Sequence, residues 1–380
     1  MPNVINGTST GSGGLITSGD DSGILNIQTN ETTAMSIDAS QSVDFTNNID
    51  APNTFGFKNR IINGAMVIDQ RNAGASVTPT SSASAYPTDR FNVAVSQNSK
   101  LTAQQSATTP AGFINSLLVT SSSAYAVTTN DFFNIAQFVE GLNIADLAWG
   151  TASAATVTLS FKVYSSLTGT FGGALENSAA NRCYPFSYTI TSANTWTSIS
   201  ITIAGDTSGT WLTTNGVGIG IRWSMGAGTT YGSGTAGAWS ATRSFAPSGS
   251  ISVVGTSAAT FYITGVQLEK GTQATSFDFR SYSNELAMCQ RYFQYSRYYF
   301  EYAMGAVGSL GGPSLNFVVP MRASPTFTLI STAGSNTTII SPNANQISSG
   351  TSYFSYGVSY TSATTGYGYR DITYSLSAEL

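Results

Sequence analysis

Residues 157–163 read VTLSFKV, and residues 217–223 read VGIGIRW. In the first, Val157, Leu159, Phe161 and Val163 alternate with Thr158, Ser160 and Lys162. In the second, Val217, Ile219, Ile221 and Trp223 alternate with Gly218, Gly220 and Arg222. A period of two marks a strand with one face buried and the other polar. The pattern recurs outward along the chain: Ile199, Ile201 and Ile203 around Ser200 and Thr202, then Ile251 and Val253, then Phe261 and Ile263. Many such strands at turn-punctuated intervals predict an all-β chain built around a β-sandwich or jelly roll. Gly218 and Gly220 fall on the outward phase, where a missing side chain lets a backbone or a ligand approach closely.

Composition agrees with strands and narrows the function. The chain has 380 residues, long enough for two or three domains. Only 9% of its residues are charged, against about 25% in ordinary soluble domains. Ser, Thr, Asn and Gln must supply the polar surface, and with Gly, Val and aromatics they favour strands and turns. The net charge of −4 and the scarcity of cations argue against a phosphate-neutralising surface, so nucleic acid is not an expected partner. No apolar run approaches the ~20 residues of a spanning helix, so no membrane insertion is expected. The start, MPNVINGTSTGSGG, has no basic region followed by an apolar core, which reads as cytoplasmic synthesis without a secretory signal.

The chain contains no histidine. That removes Ser-His-Asp and Cys-His catalysis and histidine metal sites together. Cys183 and Cys289 are the only cysteines, too few for a structural zinc site or a disulfide framework, and read as two buried free thiols. VGIGIRW leads into no helix and is not a phosphate loop. No cofactor is implied. An enzyme would need paired carboxylates. Asp131, Glu140, Asp146, Glu176, Asp206 and Glu269 are the candidates, and no spacing singles out a pair.

Organisation follows from breaks in the pattern. Residues 1–14 are rich in Gly, Ser, Thr and Asn, as flexible segments are. Leu25 and Ile27, Met35 and Ile37, then Val43 and Phe45 mark three short strands separated by turns. So small a meander cannot bury both faces alone. Trimerisation would close three apolar faces round one axis; the alternative is a hairpin packed on the next domain. Residues 49–57, IDAPNTFGF, read as a linker. From Ser283 to Tyr295 the spacing changes to helical, with Leu286, Cys289, Gln290 and Phe293 on one side and Ser283 or Asn284 able to cap. Residues 297–380 return to β composition, dense in tyrosine.

Two segments about 200 residues apart carry a further signal. Residues 58–74 read KNRIINGAMVIDQRNAG, and residues 261–293 read FYITGVQLEKGTQATSFDFRSYSNELAMCQRYF. Together they resemble the two ends of a β-rich domain found in many bacteriophage tail-fibre proteins. Residues 86–91, YPTDRF, resemble that family's second signature, in which Asp89 and Arg90 are read as structural hydrogen-bonding residues at a strand start. GDTSGTW and GAWSATRSF also match the family pattern, and residues 11–50 resemble, more weakly, β-prism shafts of phage fibres.

The resemblance implies a virion protein, made in the host cytoplasm, with a central domain resembling carbohydrate-binding modules. The expected division is a virion-attachment or shaft region at 1–55, a jelly-roll β-sandwich at 56–282, a linking helix at 283–296 and a small distal β domain at 297–380. The implied role is a homotrimeric tail fibre adhering to a host-surface glycan without catalysis, bound to other phage proteins through its N-terminus. The alternatives are a purely structural virion component and a glycan-cleaving spike. For glycan binding the candidates are Trp211, which follows the turn-rich GDTSG, Trp239 in a glycine-rich loop, and Asp206, because aromatic faces stack on sugar rings and carboxylates bind hydroxyls. Trp223 is in phase with Val217, Ile219 and Ile221 and reads as core. Asp20, Asp21 and Asp206 read as turn residues, since neither loop supplies the six or so oxygens that calcium needs.

Overall fold

The computed structural model describes residues 57–303, 317–335 and 367–380, with strand segments at 25–29, 32–37, 43–45, 310–311, 314–316, 337–339, 353–355 and 358–360. The segment 1–14, the Asp20–Asp21 turn and nearly all of the linker at 49–57 lie outside the described residues. β1 (Leu25–Thr29), β2 (Thr32–Ile37) and β3 (Val43–Phe45) form an antiparallel sheet, Met35 lying opposite both Ile27 and Phe45. Contacts divide the chain into residues 1–54 and 55–380.

In the second unit the alternating stretches form strands as expected, except that Ile251 and Val253 lie in a loop, where Val253 is buried. The strands are β4 (Ala85–Thr88), β5 (Phe91–Val95), β6 (Leu101–Ser106), β7 (Ser116–Ser121), β8 (Phe132–Glu140) and β9 (Val157–Ser165). After them come β10 (Gly169–Glu176), β11 (Cys183–Ile190), β12 (Thr197–Ile203), β13 (Val217–Ala227) and β14 (Thr260–Lys270). One sheet has the order β11-β10-β13-β8-β5-β4 and the other β12-β9-β14-β7-β6. Every pairing is antiparallel, so each sheet can bury one face and wet the other. The chain is a jelly-roll β-sandwich with strands throughout and one α-helix among the described residues.

The core is the inward phase of both sheets. Phe161 and Val163 of β9 meet Ile221 and Trp223 of β13, Phe133 of β8 and Phe186 of β11, all essentially without solvent contact. Burying each such side chain contributes about 1.5–3 kcal/mol. β14 changes phase midway: Phe261 and Ile263 point inward, and so do Val266 and Leu268. A bulge between Thr264 and Gln267 absorbs the odd residue, with Gly265 at φ +62°. Ile199 and Ile201 are only half-buried, because β12 is an edge strand. The close approach expected at Gly218 is made by the chain itself, since a Cβ there would lie 2.8 Å from the Gly141 Cα.

The two segments distant in sequence are zipped together. Arg60 N–H donates to Leu268 O at 3.0 Å and Val266 N–H to Gly64 O at 2.9 Å. Asn59 donates its side-chain amide to Val266 O and accepts from Leu268 N–H. Arg280 reaches the carbonyls of Ile61 and Asn59, and the Glu285 carboxylate accepts from Asn63 N–H. Asp89 accepts from Gln70 and Arg71, and Arg90, at φ +70°, pairs with Glu379, so both residues are structural.

The helix is shorter than its periodicity indicates. α1 spans Tyr282–Gln290, with Ser281 at the cap position, and Phe293 already belongs to β15 (Phe293–Ala303). The helical spacing of Phe293 is overridden by its pairing with Ser377 at the end of a long strand. β16 (Leu310–Gly311), β17 (Ser314–Asn316), β18 (Thr326–Ser335), β19 (Thr337–Ile339), β20 (Tyr353–Ser355), β21 (Val358–Tyr360) and β22 (Tyr367–Ser377) follow. β15-β22-β18 form a sheet over a small core of Phe317, Met321, Ile372, Tyr374 and Leu376.

Candidate functional site

The three residues singled out for glycan binding, Trp211, Trp239 and Asp206, do come together, beside a further tryptophan, Trp149. Trp149, Trp211 and Trp239 form a corner of mutually perpendicular rings: centroids lie 4.7 Å apart for Trp149–Trp211 and 5.4 Å for each of the other two pairs. Edge-to-face contact is the favoured geometry for such rings. Each indole N–H is satisfied, Trp149 on Ala155 O, Trp239 on Ala204 O, and Trp211 on Ser208 O and the Asp206 carboxylate.

Of exposure and packing beneath the loops, both open for Trp211 in its turn-rich stretch, the fold takes the second. Trp211 is 7% exposed and Asp206 1%. The turn-rich GDTSG stretch folds inward because Asp206 takes a bidentate pair from Arg182, at 2.7 and 2.6 Å, and Gly150 N–H bonds to Asp206 O. The hydrogen bond to Asp206 raises the Arg182 guanidinium above its ordinary pKa. Asp206 and Trp211 therefore support the corner, and neither presents a free face to a ligand.

Trp239 is half-buried and has a different outlook. It lines a cavity of about 440 Å³ with Pro185, Thr230, Ser233, Thr242 and Arg243. Tyr184 packs on the Trp239 ring at 5.1 Å. Arg243 is positioned by Glu176, which takes bonds from its Nε at 2.8 Å and its Nη2 at 3.1 Å. Glu176 also accepts from Arg222 Nε at 2.7 Å. Burial would raise the Glu176 pKa, but the bonds from Arg243 and Arg222 outweigh it and hold the carboxyl below its usual range. The cavity thus has an aromatic wall, hydroxyls on its rim and one fixed cation. Sequence alone could not pick out Tyr184 and Arg243, because the glycine-rich loop that carries Trp239 returns to β11 only in the fold.

The six carboxylates considered for catalysis are each engaged. Glu140 pairs with Arg291 at 2.6 Å, and Asp146 with Arg60 at 2.7 Å. Glu269 accepts from Gln267 and Thr275. Asp131 accepts from Ser96, Gln97, Tyr125 and Thr128. Burial pushes its pKa up, and those donors outweigh burial and keep it well below the usual range. Cys183 and Cys289 are free and buried, with burial raising the Cys183 thiol to about 11.

No protein-family model and no curated protein matches the chain. Among solved structures, the enzymatically active domain of tailspike protein 4 of bacteriophage CBA120 is similar over 48% of this chain, at 11% identity and a TM-score of 0.29. The match spans only 19% of that chain. A family 11 carbohydrate-binding module from Clostridium thermocellum, in complex with a β-1,3-1,4-mixed-linked tetrasaccharide, is similar over 53% of this chain and 98% of its own, at 11% identity and a TM-score of 0.27. A CBM4 module is similar over 55% of this chain and 98% of its own, at 14% identity and a TM-score of 0.27. Likenesses this remote assign neither fold nor function to this chain.

Proposed function

We propose that the chain is a bacteriophage virion fibre protein that acts as a homotrimer and adheres to a host-surface glycan without cleaving it. The observation that carries the glycan reading is the Trp239 cavity. It offers a stacking face, hydroxyl donors and acceptors, and an arginine held in place by Glu176. A pyranose has an apolar C–H face and a rim of hydroxyls, and that cavity complements both. The fibre reading rests on the resemblance of residues 58–74 and 261–293 to the two ends of a tail-fibre domain. Three copies on one particle would raise avidity through effective concentration.

The test is binding of the purified full chain to an array of bacterial surface glycans, with Trp239→Ala alongside. Binding that disappears in the variant, while the thermal transition is retained, is the expected result. Binding to no glycan, or release of reducing ends from a bound polysaccharide, would sink the reading.

A further inference from the structure

The sandwich has a second outer face, opposite the sheet that carries the Trp239 cavity. On β9 the phase that buries Phe161 and Val163 turns Ser160, Lys162 and Tyr164 outward. The register places Tyr262 beside Tyr164, and Thr264 and Ser198 beside Lys162. Trp196, just before β12, completes an aromatic group. Tyr164 and Tyr262 are 5.1 Å apart at 83°, Trp196 lies 5.6 Å from Tyr164, and Trp196 lies 6.3 Å from Tyr262. All three rings are half-buried, each keeping part of its surface in solvent.

Two residues further along the strands, about 7 Å away, the same face opens into a cavity of about 270 Å³. Its floor is Ser160, Lys162, Ser198 and Ser200, and its wall is Phe113 and Phe277, whose rings meet at 5.2 Å. The wall depends on the bulge in β14: Phe113 packs over Gly265, where a Cβ would lie 2.9 Å from the ring.

Every arginine from Arg60 to Arg291 faces a carboxylate. Lys162 does not. Its ammonium donates to Ser198 Oγ at 2.9 Å, and among the described residues no carboxylate lies within ion-pair distance. Lys58 is likewise without a carboxylate and donates to Ser276 O on the cavity rim. Among the described residues, two ammonium groups without an ion-pair partner thus flank one cavity.

We infer that this face is a second saccharide site, and that its ligand is an acidic sugar, with a carboxylate or phosphate on the ring. The anion pairs with Lys162, the serines of the floor bond the hydroxyls, and the apolar ring faces lie on Trp196 and Tyr262. The inference rests on the adhesion reading only in taking the ligand to be a saccharide; the site is independent of the Trp239 cavity.

The experiment titrates the full chain with oligogalacturonate and with the corresponding neutral galactose oligomer, by calorimetry. The wild type, Lys162→Gln, Trp196→Ala and Trp239→Ala are compared, each shown to be folded at the assay temperature by a cooperative thermal transition. The acidic oligomer is expected to bind about tenfold or more tightly than the neutral one. Lys162→Gln should erase that preference, Trp196→Ala should weaken both ligands, and Trp239→Ala should leave the preference intact. Raising salt from about 0.05 to about 0.5 M should weaken only the acidic ligand. Equal affinity for the two oligomers, no binding of either, or a preference that survives Lys162→Gln overturns the inference. Loss of all binding in Trp239→Ala alone overturns it too, while leaving the adhesion reading in place.

Discussion

Glu140 accepts a 2.7 Å hydrogen bond from the Tyr292 hydroxyl and holds the neighbouring Arg291 with both of its oxygens. Arg90 lies over the other side of the Tyr292 ring, 3.6 Å from its centroid. This arrangement fixes the end of α1 against β8. Glu140→Ala would leave a cation and a buried hydroxyl without their acceptor, so it is expected to cost about 3–5 kcal/mol. Tyr292→Phe, which removes one hydrogen bond and keeps the ring, is expected to cost about 1–3 kcal/mol. Urea denaturation checks both, and equal costs for the two would refute this account of the junction.

The tryptophan corner should separate stability from binding. Trp211→Ala empties a buried position and is expected to cost about 3–5 kcal/mol. Trp239→Ala acts at a half-buried ring, should cost less, and should abolish binding at its cavity. Paired denaturation and binding measurements on the two variants decide this. A Trp211 variant of unchanged stability would contradict the burial described here.

Stability should respond to pH through Asp89. Burial raises its carboxyl from 3.8 to about 6, against the opposing pull of Arg71 and Gln70. The folded chain therefore holds this proton more tightly than the unfolded chain does. Its contribution is fully present below about pH 4 and is lost as pH rises through 6. A displacement of that size corresponds to roughly 3 kcal/mol. The depressed carboxyls of Asp131 and Glu176 act in the opposite sense, losing stability only as pH falls below the ordinary carboxylate range. Between pH 4 and pH 6.5 the wild type should lose stability, and Asp89→Asn should flatten that decline.

Gly64→Ala should damage the fold out of proportion to its size. A Cβ at residue 64 would lie 2.1 Å from Val266 O, a backbone atom that cannot swing aside. A loss of about 2 kcal/mol or more is expected. A neutral substitution would mean that the two zipped segments do not touch as closely as described.

Neither thiol should react in the folded state. Cys183 and Cys289 are both buried, and burial raises the pKa of each. A chromogenic thiol reagent should detect both cysteines after denaturation and neither before it; fast labelling of the native chain would refute this.

The sandwich was legible because its strands alternate cleanly: Leu159, Phe161, Ile219, Ile221 and Trp223 all lie in the core as their phase predicted. The helix end was not, because Phe293 satisfies helical spacing and strand pairing equally well in one dimension. For Trp211 the turn formers of GDTSG left exposure and packing beneath the loops both open, and nothing local shows that Arg182 draws the stretch inward. The face bearing Tyr164, Trp196 and Tyr262 did leave a trace in the sequence. Tyr164 and Tyr262 occupy the polar phase of their strands, and an aromatic residue there has no core to fill.

The hydrogen-bonded meeting of residues 58–64 with 266–280 also has a mechanical meaning. The chain enters and leaves the sandwich at one place, so tension between those two ends would run through the contacts of Asn59, Arg60 and Arg280. Apart from the end of β14, the strands of both sheets would hang outside the line of force. A molecule loaded in this way would yield first at one small latch, with the rest of the two sheets still folded.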